Sequence, residues 1–344
     1  MNKKMLFKSF LTLIMIISFA GMSFAAPKVI KIAHMGKADP FADAVHASAV
    51  AFKYLMERRT SGRYEVKIYP QGSLGKQSDV IAALKNNVIQ VNIAASIGFF
   101  RVFPPASIFF TPYIFKNESV AMEVINGPYG QKLLGAFSEK TGFKGLAFAG
   151  AYTWMAITNN KRPIRTLDDI KGLKFRVMDP LGAAMFKSFG ATASPIAFAE
   201  TYTSMQTGVV DGQTNPAFIV ANFKFNEVQK YMTLANSQWG YQMMMANQQW
   251  FNSLSADDKI ALRDSVNGAI DAMKGLTLIQ EISFLEKLEK SGMEITTLGA
   301  AEMAKFASVA RPACLQWVSK VMGKQWADEM LAAIADAEKK LGYK

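Results

Sequence analysis

Apolar positions recur along this chain with two distinct periods. Val29-Ile30-Lys31-Ile32-Ala33 is short and β-branched, the composition of a strand. From Phe41 to Arg59 the apolar residues Val45, Ala49, Phe52 and Leu55/Met56 fall at helical spacing. Tyr64-Glu65-Val66-Lys67-Ile68-Tyr69 alternates in the strand manner, stops at Pro70 and leads into the turn Gln71-Gly72-Ser73-Leu74-Gly75. Ser78 is placed to cap a helix through Leu84, and Val88 to Ala94 reads as a third strand. Strand, helix, strand, helix, strand in this order predicts a mostly parallel sheet with helices on both faces.

The middle of the chain repeats the theme. Gly145 to Phe148, Trp154 to Thr158 and Gly172 to Val177 are strand-like. Thr166 and Asp169 have the spacing of a capping box. Helices are expected over Pro180–Phe189 and Ala199–Thr207, each closed by a glycine. From Ser255 onward Leu262, Val266, Ile270 and Met273 form one stripe, and the helix continues to Ser291 before Gly292 stops it. At 1.5 Å per residue it would be about 50 Å long, too long for one small domain. It is therefore expected to span two domains, which a length of 344 residues also suggests.

The N-terminus departs from this pattern. Lys3, Lys4 and Lys8 precede an apolar run from Leu11 through Ala20, and Ser23-Phe24-Ala25 follows. Charged, apolar and small residues in that order form an export signal, with cleavage expected after Ala25. The run is too short for a membrane anchor, which needs about 20 residues. No cysteine near the cut offers a lipid attachment point. The three lysines leave with the signal, taking the net charge from +12 to +9. The remaining basic residues are scattered, apart from Lys161, Arg162 and Arg165, and no nucleic-acid-binding motif accompanies them. Nucleic acid is therefore not an expected partner, and the compartment is a bacterial periplasm.

Catalytic motifs are missing. The chain has no GxGxxG after a strand, no GxxxxGK[ST], no GxSxG and no HExxH. Its one cysteine excludes an intramolecular disulfide, and Cys314 lies among apolar neighbours as a packed residue. Its two histidines leave little for a metal site, and neither metal nor cofactor is expected. His34 and His46 are too far apart to share a helix face. His34 does sit at the end of the first strand, where open α/β sheets place ligand contacts. Asp168-Asp169 and Asp257-Asp258 lie at helix starts, where they complement the helix dipole.

Leu173-Lys174-Phe175-Arg176-Val177 carries stronger chemistry. Alternation puts Lys174 and Arg176 on one face of the strand and Phe175 and Val177 on the other. An arginine buried there must be paired. A carboxylate ligand would serve, because a planar guanidinium gives it two parallel hydrogen bonds. An internal partner such as Asp168 or Asp211 would serve as well, and spacing alone leaves both open.

The order of motifs from Arg162 to Pro216 extends this. Arg162-Pro163-Ile164-Arg165-Thr166-Leu167-Asp168-Asp169-Ile170-Lys171-Gly172-Leu173-Lys174-Phe175-Arg176-Val177 is followed by Phe189-Gly190-Ala191 and Phe198-Ala199-Glu200-Thr201-Tyr202. Gln206-Thr207-Gly208-Val209-Val210-Asp211-Gly212-Gln213-Thr214-Asn215-Pro216 comes next. The whole closely resembles the solute-binding proteins of TRAP transporters, of the dicarboxylate-binding (DctP) type. The resemblance implies a periplasmic binding protein-like α/β fold. Two α/β domains would enclose a ligand cleft, with a long helix spanning both. The implied division is a signal at 1–25, domain I at 26–152 plus 242–281, and domain II at 153–241 plus 282–344. It also implies a non-enzymatic, monomeric protein that passes a small organic acid to the small and large membrane permease subunits. Arg176 would grip the ligand carboxylate, Asn215 would hydrogen-bond it, and Phe198 would line the pocket, with Glu200 and Tyr202 in support.

The departures from the family pattern shape the expected ligand. Many members carry a second basic residue where this chain has Tyr152-Thr153-Trp154-Met155-Ala156. Sialic-acid-binding members carry an acidic residue near Ala95, where this chain has Ala94-Ala95-Ser96. Trp154, Met155, Phe99, Trp239 and Met243-Met244-Met245 offer apolar surface instead. Ser96, His34 and Asp179 complete the candidate ligand-binding set. A monocarboxylate with an apolar, keto or aromatic body is expected; the alternatives are a C4-dicarboxylate or sugar acid, an exported enzyme acting on carboxylates with His34 or Glu200 as acid–base, or a ligand-sensing module.

Overall fold

The computed structural model describes residues 26–100 and 102–343, without the side chains of residues 97, 99 and 150–153. The export signal expected over residues 1–25 lies outside the described residues. The described chain contains two sheets. The first has the order β2-β1-β3-β10-β4, with β1 at Lys28–His34, β2 at Tyr64–Tyr69, β3 at Val91–Ala95, β4 at Phe143–Trp154 and β10 at Trp239–Asn247. The second has the order β11-β9-β5-β8-β6-β7. Its strands are β5 at Ala156–Asn159, β6 at Lys174–Val177, β7 at Thr192–Pro195, β8 at Gly212–Asn215, β9 at Tyr231–Leu234 and β11 at Glu294–Thr297.

Both sheets are mostly parallel, as the strand–helix alternation predicts, with a single reversed strand in each. β10 runs antiparallel to both β3 and β4, and β5 runs antiparallel to both β8 and β9. The cause is that two strands cross between the sheets. β4 continues through Met155 into β5, and β9 returns through residues 235–238 into β10. β10 enters the first sheet beside the end of β3, with Gln242 opposite Ala95, so it must run against it. β5 likewise begins beside the end of β8, with Ala156 opposite Asn215.

The helices follow their local chemistry. α1 spans Ala44–Arg59, and the Asp43 carboxylate accepts from the Val45 and His46 amides at 2.9 and 3.1 Å. α2 spans Gln77–Lys85 and starts ahead of the expected cap Ser78, because Asp79 reaches back to accept from the Lys76 amide at 2.8 Å. Short helices α3 (Ser96–Phe100), α4 (Glu118–Asn126) and α5 (Pro128–Thr141) complete the first half. α6 (Pro180–Ser188), α7 (Thr201–Gln206), α8 (Ala217–Asn222) and α9 (Gln248–Ser253) follow.

The expected long helix is α10, Ala256–Lys290, with the Asp258 amide donating to the Ser255 hydroxyl at 3.1 Å. Its Leu262, Val266 and Met273 join a core with Ile30, Phe52 and Met244 of the first sheet. Its Phe284 and Leu288 join Met232, Val220 and Phe225 beside the second. One helix thus contributes to two cores, the burial that a length of about 50 Å permits. α11 (Ala300–Met322) packs on α6, and α12 (Lys324–Lys340) packs on α4 and α5. Among the described residues no helix is long and apolar enough to cross a membrane.

Candidate ligand-binding site

β6 and β8 are parallel neighbours, with Arg176 opposite Gln213. Their C-terminal ends therefore lie side by side, the position at which α/β sheets receive ligands. Arg176 is 2% exposed. Its Nε donates to the Ile196 carbonyl at 2.9 Å, whereas its buried Nη1 has no hydrogen-bond partner. Burial lowers the guanidinium pKa to about 10, against the opposing pull of Asp179.

The internal partners that the sequence left open are engaged elsewhere. Asp168 pairs with Lys171 at 2.6 Å. Asp211 accepts from the Lys174 amide at 2.9 Å and faces the Lys161 ammonium at 3.6 Å. Asp179 caps α6 by accepting from the Gly182 amide at 3.0 Å, and burial raises its pKa. Lys174 lies at the surface, so the strand that puts both cations on one face buries only one of them.

Phe198 lies 5.9 Å from the Arg176 guanidinium, ring centroid to carbon, a cation–π distance. It is 39% exposed and packs edge-on to Phe223 at 4.7 Å. An aromatic ring left that open, beside a buried cation, has not been placed by core packing alone. Glu200, two residues on, is exposed, and Tyr202 donates its hydroxyl to Glu227 at 2.9 Å. Neither is hydrogen-bonded to Arg176.

Asn215 is 5% exposed and donates its Nδ2 to the Gln213 side-chain carbonyl. Across the strand pair it faces Ala156, which places Met155 and Trp154 one and two residues beyond it at the crossing. Met155 is buried, with its amide donating to the Gln238 carbonyl at 2.9 Å; Trp154 is half-buried. Trp239 pairs with Trp154 in register but is 1% exposed, stacked on Tyr241 and edge-on to Phe115. Met243, Met244 and Met245 are fully buried in the middle of β10 and belong to the two cores rather than to an open surface. The Phe99 side chain lies outside the described residues.

His34 ends β1 of the first sheet, and Ser96 opens α3 directly after its parallel neighbour β3. Both are buried. His34 Nδ1 accepts from the Gly36 amide at 3.1 Å, so its Nε2 carries the proton toward His46 Nδ1 at 3.0 Å. The two histidines share no helix face but meet where the strand end abuts α1, a contact that no sequence spacing announces. Burial, with His46 adding to it, lowers the His34 pKa to about 3 and keeps the ring neutral. No group of His, Cys, Asp and Glu among the described residues is arranged to hold a metal ion. Cys314 is fully buried, and its thiol is pushed up to about 12.

The arrangement brings Arg176, Asp179, Phe198 and Asn215 together on the second sheet, with Trp154 and Met155 at its edge. His34 and Trp239 belong to the first sheet, and Ser96 follows its strand β3. Polar residues in buried strands were the overlooked signal. Gln213 and Thr158 are both fully buried, Thr214 is nearly so, and the Thr214 hydroxyl has no partner.

The chain is 30% identical to the C4-dicarboxylate-binding periplasmic protein DctP of Rhodobacter capsulatus over 320 residues, 91% of this chain and 92% of that one. It is also 30% identical to the 2,3-diketo-L-gulonate-binding periplasmic protein YiaO of Escherichia coli over 256 residues, 74% of this chain and 77% of that one. Among solved structures, the sugar acid binding protein DctPAm of Advenella mimigardefordensis, in complex with galactonate, superposes with a TM-score of 0.82 at 28% identity. That match covers 90% of this chain and 99% of the other. Residues 35–320 match the family described as DctP, bacterial extracellular solute-binding protein, family 7. The chain belongs to this family, the periplasmic solute-binding proteins of TRAP transporters.

Proposed function

We propose that this chain, exported to the periplasm and cleaved after Ala25, captures an organic acid between its two α/β bodies and delivers it to a TRAP membrane permease. Arg176 holds the carboxylate, Asn215 adds a hydrogen bond, and Phe198 closes over the guanidinium. The observation that carries this reading is the buried Arg176 guanidinium, with Nη1 unpartnered, Asp168 and Asp211 engaged elsewhere and Asp179 capping a helix. A bound carboxylate supplies the missing acceptor, and each charged hydrogen bond contributes about 1.5–3 kcal/mol.

The ligand favoured here is a monocarboxylate with an apolar, keto or aromatic body. Met155 and Trp154 stand beside Asn215, where many relatives carry a second cation, so a second carboxylate lacks its counter-charge. A C4-dicarboxylate or sugar acid is the second reading, favoured by the similarity to proteins named for binding such compounds. The domain division given above remains part of the proposal, with closure about the two crossings and α10 as the hinge.

Thermal unfolding in the presence of 4-methyl-2-oxopentanoate, phenylpyruvate, benzoate, succinate and galactonate separates these readings. A ligand at 100 times its Kd stabilises the protein by about 2.7 kcal/mol. Stabilisation by the first three supports the favoured ligand class, and stabilisation by succinate or galactonate alone supports the second. Consumption of any of the acids would instead indicate an enzyme.

A further inference from the structure

Four buried side chains run in series to Asn215. Gln229 Nε2 donates to the main-chain carbonyls of Asp211 at 3.2 Å and Val228 at 3.0 Å. Thr158 Oγ1 donates to Gln229 Oε1 at 2.9 Å. Gln213 Nε2 donates to Thr158 Oγ1 at 2.9 Å, and Asn215 Nδ2 donates to Gln213 Oε1. Thr158, Gln213, Gln229 and Asn215 are all 5% exposed or less.

The direction of this series is not free. A main-chain carbonyl can only accept. Two of them face the same end of Gln229, so that end is its nitrogen and the other end is its oxygen. The single Thr158 proton must then point at Gln229, leaving the Thr158 lone pairs for Gln213 nitrogen. Gln213 in turn presents its oxygen to Asn215, and only the Asn215 nitrogen can answer. Reversing any one amide would set acceptor against acceptor or donor against donor in a buried site. The polarity fixed at the Asp211 and Val228 carbonyls, ahead of β8 and β9, therefore reaches the end of β8.

We propose that Gln229 is a positioning residue that, through Thr158 and Gln213, fixes the orientation of the Asn215 amide and so determines which of its atoms meets the carboxylate of the ligand. The second half of this statement rests on the assignment of Asn215 to the ligand site. Asn215 then keeps one Nδ2 proton for an anion, whereas a freely turning amide would offer its oxygen, which repels a carboxylate, as often as its nitrogen. Sequence distance hides the device, because Gln229 lies outside the motif that contains Asn215.

The test uses the full-length mature protein without ligand, labelled with nitrogen-15, and follows hydrogen exchange of the Asn215 side-chain amide against that of the exposed Asn236. Gln229→Met keeps the length and removes both polar ends. It should speed Asn215 exchange roughly fivefold or more, the factor set by one hydrogen bond of ordinary strength, with β8 main-chain exchange unchanged. Thr158→Val cuts the series at its middle and should do the same. Gln229→Glu supplies the rescue. Protonated, its one O–H donates to one of the two carbonyls and its other oxygen accepts from Thr158, which keeps the polarity of the series and restores slow exchange at low pH. Ionised, it opposes the two carbonyls, and fast exchange returns as the pH rises. Slow Asn215 exchange in both neutral variants, or an Asn215-to-Asn236 exchange ratio in Gln229→Glu that does not change with pH, overturns the proposal. Because no ligand enters the measurement, such a result would leave the role of Arg176 untouched.

Discussion

Glu281 lies in the second half of α10, between the segment that packs on the first core and the segment that packs on the second. It lines a small cavity with Thr277 and Gln280 of the same helix, Asp43, Ala44 and Val45 at the start of α1, and Phe218 of α8. Its Oε2 is buried with no hydrogen-bond partner, and the Asp43 carboxylate across the cavity is occupied by the Lys37, Val45 and His46 amides. Burial without a counter-charge raises the Glu281 pKa from 4.5 to about 7. The unfolded chain releases this proton near pH 4.5 and the folded chain holds it to about 7, so the folded state binds more protons between them and stability falls as the pH rises through that interval. At about 1.4 kcal/mol per pH unit the loss approaches 3 kcal/mol by about pH 8. Glu281→Gln cannot ionise and escapes it. Urea unfolding of both proteins from about pH 4 to pH 8 should give a stability difference that grows in favour of Glu281→Gln by about 3 kcal/mol. Other titrations are common to both proteins and cancel. A difference that stays constant across this range would show that Glu281 ionises freely in the folded protein, and the reasoning would fail.

Two further outcomes follow from other buried groups. His34 stays neutral to about pH 3 when folded and takes a proton near 6.5 when unfolded, so stability should fall below pH 6.5 by up to about 1.4 kcal/mol per pH unit. His34→Gln should flatten that acid limb in urea titrations, and an unchanged limb would contradict the buried, neutral assignment. Phe175 is fully buried in β6 and stacked on Phe186 at 4.2 Å, so Phe175→Ala should cost about 3–5 kcal/mol, read as a lowered urea midpoint at constant m-value.

Local chemistry made much of this fold legible. The alternation in Tyr64–Tyr69, the Thr166–Asp169 capping box and the apolar stripe beginning at Leu262 each depend on a few neighbouring residues, and each appears in the structure. The parallel run of most strands was legible from the strand–helix alternation, but the reversal of β5 and β10 was not, because it comes from their passage between sheets rather than from anything in their own residues. At the site, Arg176 was readable as a cation in an apolar strand. The engagement of Asp168 and Asp211 elsewhere was not, since it depends on where Lys171, Lys174 and Lys161 fall. His34 and His46, Glu281 and the Gln229 series share one reason for escaping notice. Their chemistry arises from tertiary contact between elements whose individual patterns are ordinary.

The account depends most on the Arg176 guanidinium as the holder of a carboxylate. Its direct test is titration calorimetry of wild-type protein, Arg176→Lys and Arg176→Met with the five acids named above. Wild type should bind at least one of them. Arg176→Lys should bind it more weakly, because an ammonium cannot match a carboxylate with two parallel hydrogen bonds. Arg176→Met should lose roughly a hundredfold or more, the equivalent of two charged hydrogen bonds at their lower limit. Removing a buried cation with an unpartnered nitrogen should also leave the unliganded protein no less stable. Undiminished binding of the same acid by a folded Arg176→Met protein would contradict the account.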